Sequence, residues 1–259
     1  MQFDLISDLH LEHWPDTIEW TGMPTSLVAV IAGDISKDLD TTYRTVLEIS
    51  KHYKHVIFVE GNHEHGFPGK NIDLKRLEIA EKFSKYRNIS YLFRNTVILD
   101  SVAFIGCNGW WSYDFCEPYA SKQDSINFQT DKGLDPEAIM EQWTIAIEDA
   151  EFICRTVETC SKNDDIKSIV IVTHTVPSKQ LSWMPDRVDL IPGMGAQGSS
   201  YLESVPLCDI NNKIKIWCFG HLHCPQDRVI DDIRYVSNPR GIPGHLGAQH
   251  IYFPKFIKC

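Results

Sequence analysis

Long hydrophobic runs are missing from this chain. Its longest unbroken apolar stretch, Leu27 to Ala32, falls far short of the ~20 residues that cross a bilayer as a helix, so no membrane span is expected. The first residues, Met1-Gln2-Phe3-Asp4-Leu5-Ile6-Ser7, lack the basic start and long apolar core of a secretory signal. No Cys-x-x-Cys occurs among the eight cysteines, which argues against a structural zinc knuckle. Scattered cysteines without a signal segment read as reduced thiols in a cytoplasmic chain. Basic residues are also scarce: 25 Lys and Arg stand against 35 Asp and Glu, for a net charge of -10. With no basic run, such a chain repels long nucleic acid. Internal repeats, low-complexity tracts and linkers are absent too, and a charged fraction of 23% excludes a disordered polyelectrolyte.

Short β-branched runs alternating with helical patterns make up most of the 259 residues. Strand-like runs lie at Phe3 to Ser7, Leu27 to Ala32, Val56 to Val59, Ile89 to Phe93, Val97 to Leu99, Val102 to Gly106, Ser168 to Thr173, Lys213 to Phe219, Ile233 to Val236 and Gln249 to Phe253. Helical patterns cover Thr41 to Tyr53, Ile72 to Tyr86 and Pro136 to Cys160, the last with Asp135 as N-cap and Pro136 in the first turn. Early strands separated by helices point to parallel pairing. The Val97 to Gly106 stretch, broken at Asp100-Ser101, reads as an antiparallel hairpin. The class is mixed α/β, with residues 1–259 forming one domain.

Five of these strands run into chemistry-bearing residues. They lead into Asp8-Leu9-His10, Gly33-Asp34, Gly61-Asn62-His63-Glu64, His174 and Gly220-His221-Leu222-His223. Ligands of open α/β sheets sit beyond the carboxyl ends of the strands, so all five motifs meet at one edge. Alternation along an extended segment would let Asp8 chelate with His10, and His221 with His223. The donors are imidazole, carboxylate and amide, with no thiolate. That set suits Mn, Fe or Zn in an open catalytic site. Seven donors (Asp8, His10, Asp34, Asn62, His174, His221 and His223) exceed what one tetrahedral ion takes and fit two divalent ions. Asp34, which has no partner in its own motif, is the natural bridge. His63 is left over beside Asn62, placed to trade protons.

In this order, from Asp8 to His223, the motifs resemble the calcineurin-like metallophosphoesterase family, small bacterial-type branch. Ser237-Asn238-Pro239-Arg240-Gly241 resembles a segment common after the last histidine motif in bacterial members. The resemblance implies a four-layer αββα sandwich, two mixed β-sheets flanked by helices. It implies one metal on Asp8, His10, Asp34 and His223, and a second on Asp34, Asn62, His174 and His221. It makes His63 the general acid, oriented by an acidic partner, while a hydroxide bridging the ions attacks phosphorus in line and Asn62 assists. Protein serine/threonine phosphatases carry Gly-Asp-x-x-Asp-Arg-Gly. Here Gly33-Asp34-Ile35-Ser36-Lys37-Asp38-Leu39 lacks the Asp-Arg pair, which favours a small-molecule phosphoester as substrate, a phosphodiester by analogy. A phosphomonoesterase or nucleotide pyrophosphatase stays open, as do a short-oligonucleotide nuclease and a non-enzymatic scaffold.

Substrate contacts are sought around the motifs. Residues 107–135 read as a substrate-rim insertion crowded with Trp110, Trp111, Tyr113, Phe115 and Tyr119, where one tryptophan packs the loop and the other stacks on substrate. His65 lies next to the third motif, and Arg94, Arg187 and Arg240 could hold a distal anionic group. The sequence leaves oligomeric state open.

Overall fold

Nearly continuous apolar strands need cover on both faces, and two stacked sheets with outer helices supply it. The computed structural model describes residues 1–66 and 69–259. In chain order the elements are β1 (Gln2–Ile6), β2 (Val28–Ala32), α1 (Leu39–Ser50), β3 (His55–Val59), α2 (Ile72–Phe83), β4 (Ile89–Tyr91), β5 (Asn95–Leu99), β6 (Val102–Gly106), α3 (Lys122–Asp131), α4 (Pro136–Lys162), β7 (Ser168–Val172), β8 (Ile214–Phe219), β9 (Gln226–Ile230), β10 (Ile233–Ser237) and β11 (Lys255–Lys258). One sheet has the order β11-β1-β2-β3-β4 and the other β5-β6-β7-β8-β10-β9. β1 to β4 pair in parallel, with β11 antiparallel at the edge. In the second sheet β6, β7, β8 and β10 are parallel, flanked by antiparallel β5 and β9.

Alternation divides each strand between two cores. Val28, Val30 and Ala32 of β2 face Val170 and Val172 of β7 between the sheets. Ala29 and Ile31 point the other way, onto Val46 and Ile49 of α1 and Ile79 and Phe83 of α2. Ile169 and Ile171 of β7 pack on Ile153 and Val157 of α4. The layers are therefore helix, sheet, sheet, helix, as the family resemblance implies. Each such valine, isoleucine or phenylalanine, fully buried, contributes roughly 1.5–3 kcal/mol of transfer free energy. The Asp135 carboxylate accepts the Ala138 N–H at 2.8 Å and starts α4. Asp100 and Ser101, with φ of 47° and 63°, make the two-residue turn of the β5–β6 hairpin.

The structure departs from the sequence-based expectation in four places. α3 lies inside the stretch read as a substrate-rim insertion, where no helix is expected; it buries only Ser125, so it carries no helical apolar stripe, although a Ser121/Asp124 capping box marks its start. β9 is an edge strand with a largely exposed polar sequence, and its turn to β10 runs through Asp231 and Asp232 at positive φ. The last strand is Lys255–Lys258, not Gln249 to Phe253, whose Ile251 and Phe253 are exposed. Cys154 of α4 and Cys208 form a disulfide with Cα atoms 5.6 Å apart, while the other cysteines are free; the expectation of wholly reduced thiols is corrected, and with it the support it gave to a cytoplasmic setting. Among the described residues no helix is long and apolar enough to cross a membrane.

A buried ion network joins the loop after β3 to the loop after β6. Arg76 of α2 donates to Glu60 at 2.8 Å and to Asp149 of α4 at 2.9 Å. Arg94 donates to Asp149 at 2.6 Å. Asp149 also accepts the Gly109 N–H at 2.9 Å, and Asn108 donates to the Glu60 carbonyl at 3.0 Å. Burial alone would raise the Glu60 pKa, but the Arg76 charge holds it down at about 2. Arg76→Leu would leave two buried carboxylates short of counter-charge. It should lower unfolding stability by about 3–5 kcal/mol in a urea titration; a loss within error of zero would show that the network adds nothing.

Candidate metal centre

The two sheets bring the carboxyl ends of their parallel strands to one edge, so loops from both meet there. The loops after β1, β2 and β3 supply Asp8, His10, Asp34, Asn62 and His63. The loops after β7 and β8 supply His174, His221 and His223. Asp8, His10, Asp34 and His221 adopt left-handed φ of 48°, 44°, 55° and 70°. Such conformations are sparsely populated for non-glycine residues and cost on the order of 1–3 kcal/mol each. The surrounding framework overrides that cost, as is common at functional sites.

Two donor groups result. Ligand atoms of Asp8, His10 and His223 lie within 4.8 Å of one another, and so do those of Asp34, His174 and His221. Asp34 Oδ2 sits 3.2 Å from His174 Nε2 and 3.7 Å from His10 Nε2, between the two groups. Asn62 Oδ1 is 3.0 Å from both His174 Nε2 and His221 Nδ1. His10 Nε2 and His223 Nε2 are 2.8 Å apart. His221 and His223 fall in different groups, contrary to simple alternation along an extended strand. The left-handed φ of His221 breaks the alternation.

Neighbouring oxygens fix the tautomers. His174 Nδ1 donates to the Ala32 carbonyl at 2.8 Å, which turns Nε2 toward Asp34. His221 Nε2 donates to the Ala196 carbonyl at 2.9 Å, leaving Nδ1 facing Asn62. This is the support that ligating histidines usually have. Trp111, only 9% exposed, lies nearly parallel to the His221 ring at 5.6 Å and anchors its own Nε1–H on Gln142 at 3.1 Å.

The charge states of His221 and His223 suit cation binding. Burial, reinforced by neighbouring imidazoles, lowers His221 to about 4 and His223 to about 3, so both offer lone pairs at neutral pH. Burial also pushes Asp8 up to about 6, and its Oδ2 is buried with no partner. Burial works against ionised Asp34, yet His174 and His63 hold its pKa well below the usual carboxylate range. His174, which burial would lower, is raised to about 10 by Asp34 and Asp8. An orphaned buried carboxylate oxygen, pinned tautomers and a hard-to-borderline donor set fit divalent cations. The residues that would hold one ion are Asp8, His10, Asp34 and His223. Asp34, Asn62, His174 and His221 would hold another.

Glu64, which the sequence motif contains without a role, is a clamp. Its buried carboxylate accepts N–H groups of Asp34 at 3.0 Å, Ile35 at 2.7 Å and Gly61 at 2.7 Å. It thereby locks the two loops that carry Asp34 and Asn62. A Cβ on Gly61 would collide with the Asp34 carboxylate.

His63 stands beside the donors. Its Nδ1 is 3.1 Å from Glu12 Oε1 and its Nε2 3.9 Å from Asp34 Oδ2. Its burial would lower its pKa, but Asp34 and Glu12 together raise it. Glu12 is the acidic partner that the family resemblance implies without naming. Its signal in the sequence is its place two residues beyond His10.

The sequence-based substrate candidates separate. Trp110 and Trp111 both line a cavity of about 390 Å³ next to Asn62, His63 and His221, although Trp110 is almost fully buried. His65 is turned inward, edge-on to Trp110 and 3.7 Å from Glu60, because the 3₁₀ turn His63–His65 sends its side chain into the core. Arg240 is buried with its guanidinium over Trp14 and its Nη2 on both Asp16 oxygens at 2.7 and 2.8 Å. Neither offers a surface to substrate here. Arg94 and Arg187 are likewise paired, with Asp149 and Asp189. Tyr113 and Phe115 are core residues and Tyr119 is exposed. A larger cavity, about 710 Å³, is lined by Met1, Leu27, His55 and Cys259 at the opposite ends of the strands, remote from the donor groups.

Fold and donor set together define a metal-dependent hydrolase edge on an α/β sandwich. The sequence profile of calcineurin-like phosphoesterases matches residues 1–225, and the chain belongs to that family, a metal-dependent phosphoester hydrolase. A phosphopantetheinyl hydrolase from Mycobacterium tuberculosis shares the fold with a TM-score of 0.71 and 17% identity, over 93% of this chain and 90% of that one. A chain from Staphylococcus aureus assigned as a 5'-nucleotidase aligns with a TM-score of 0.48 and 13% identity, over 93% of this chain and 49% of that one. A comparison with curated protein sequences finds no match.

Replacing His174 or His223 with Asn should each remove one bound ion while the other stays, as read by elemental analysis of the purified proteins. Gly61→Ala, by displacing Asp34, should weaken both. Unchanged metal content in His174→Asn and His223→Asn would place the ions elsewhere.

Proposed function

We propose that the chain hydrolyses small phosphodiesters with two divalent ions, Mn, Fe or Zn, at the two donor groups. The observation that carries this reading is Asp34, whose carboxylate lies between two clusters of metal-type side chains. When bound, the ions supply Lewis acidity to the phosphoryl oxygens and a nucleophile at neutral pH. Asn62, held against His174 and His221, orients that side of the site. The Glu64 clamp keeps the Asp34 and Asn62 loops at fixed separation, so no reorganisation is needed during reaction. Trp111 holds the His221 ring from one face.

His63 serves as general acid. Glu12 accepts from Nδ1–H, which leaves Nε2 as the atom that delivers a proton to the departing oxygen. Preference for diesters over monoesters draws support from the cavity that continues past His63 and His221, which gives the ester group room. A small cavity and a net charge of -10 both favour small-molecule substrates over long nucleic acid. Faster turnover of 4-nitrophenyl phosphate than of bis(4-nitrophenyl) phosphate would contradict the diester assignment.

His63→Ala should keep both metals. It should lose about 10²–10⁴-fold in kcat on an alkyl or nucleoside phosphoester, the usual contribution of a general acid, and much less on a nitrophenyl ester, whose anion departs unaided. Equal losses on both esters would assign His63 to charge stabilisation instead, and loss of a metal would make it a ligand. Glu12→Gln should lower kcat on the alkyl ester in the same direction with KM unchanged.

A further inference from the structure

Phosphodiester hydrolysis at the donor groups does not by itself name the departing group, and the cavity beside the donors bears on it; a role for that cavity rests on the hydrolase reading. At about 390 Å³ it lies at the small end of ligand pockets, ~300–1,000 Å³. Asn62, His63 and His221 form its metal side. The rest of the wall is aromatic, aliphatic and amide: Trp110, Trp111, Leu134, Gln129, Gln142 and Gln197. Among the described lining residues none is a carboxylate, and Lys37, exposed on the Asp34 loop, is the one fixed cation.

The three glutamines have different duties. Gln142 Oε1 receives the Trp111 N–H at 3.1 Å and the Tyr113 hydroxyl at 2.5 Å. Gln197 is spent on the Trp183 backbone, accepting at 3.0 Å and donating at 2.8 Å. Both hold the wall in place. Gln129, half-buried on α3, has no side-chain hydrogen bond among the described residues. Its amide presents two donors and an acceptor to a cavity it shares with Trp110, Trp111 and Leu134. Away from the metal side, an anion drawn in among those indoles would surrender hydration with only exposed Lys37 as fixed counter-charge, whereas a neutral amide or hydroxyl would exchange water for Gln129.

We propose that this cavity is the leaving-group subsite and that Gln129 makes it selective for an uncharged leaving group bearing an amide or hydroxyl. α3 is then the specificity element of the rim, bringing Gln129 over the site from outside the metal framework.

An isosteric pair of substrates tests this: methyl 3-carbamoylphenyl phosphate and methyl 3-carboxyphenyl phosphate, with bis(4-nitrophenyl) phosphate to report hydrolysis by the metal-loaded protein. Wild type should favour the carbamoyl ester in kcat/KM by about tenfold, the scale of one well-placed hydrogen bond plus a desolvated charge. Gln129→Glu should widen that gap and Gln129→Lys should narrow it about tenfold, with circular dichroism unchanged. In chelator-treated wild type, 3-hydroxybenzamide should change tryptophan fluorescence at concentrations where 3-hydroxybenzoate does not. A preference indifferent to the charge at residue 129, or equal rates on the two esters, overturns the subsite while hydrolysis of bis(4-nitrophenyl) phosphate leaves the hydrolase reading standing. No hydrolysis of any of the three esters by metal-loaded wild type overturns both. Stronger binding of 3-hydroxybenzoate also contradicts the proposal.

Discussion

Two carboxylates and four imidazoles lie buried or nearly so at one sheet edge, and their mutual electrostatics is the constraint on which the site depends. Desolvation penalises every charged form there. Without a cation, Asp34 and His174 satisfy each other as an ion pair, His221 and His223 stay neutral, and Asp8 keeps an oxygen with no partner. Such an arrangement is poor as a core and good as a receptor for positive charge. The family assignment and the geometry agree on this point from independent directions.

Holding these groups together is the task of the surrounding shell. Glu64 binds three backbone N–H groups from two loops. Carbonyls of Ala32 and Ala196 fix two imidazoles. The Glu60–Arg76–Asp149–Arg94 network ties the β3 and β6 loops to α2 and α4. These contacts offset the strain of four left-handed residues at the site. They also explain why the strand ends, where backbone hydrogen bonding stops, can present side chains with so little freedom.

The layered architecture was legible because its cause is local: β-branched runs alternate between two buried faces, and five of the runs end in chemistry-bearing motifs that follow the same logic. That these motifs meet at one edge was legible for the same reason. What stayed hidden depends on long-range geometry. Glu12 reaches His63 across 51 positions of sequence, and nothing in Asp8-Leu9-His10-Leu11-Glu12 says where that carboxylate points. His65 and Arg240 looked available because they adjoin motifs, yet one turns into the core beside Trp110 and the other stacks on Trp14. α3 escaped because it buries a single residue; only its capping box betrayed it. The Cys154–Cys208 bridge joins residues 54 apart, a pairing that spacing cannot announce.

The most direct test of the central claim is anomalous X-ray diffraction from crystals of the protein grown with Mn²⁺. Two anomalous peaks should flank the Asp34 carboxylate at ~3.5–4 Å separation, the spacing of two-metal hydrolytic sites. One of them should contact Asp8, His10 and His223 and the other Asn62, His174 and His221. A single peak, or peaks away from Asp34, would contradict the account.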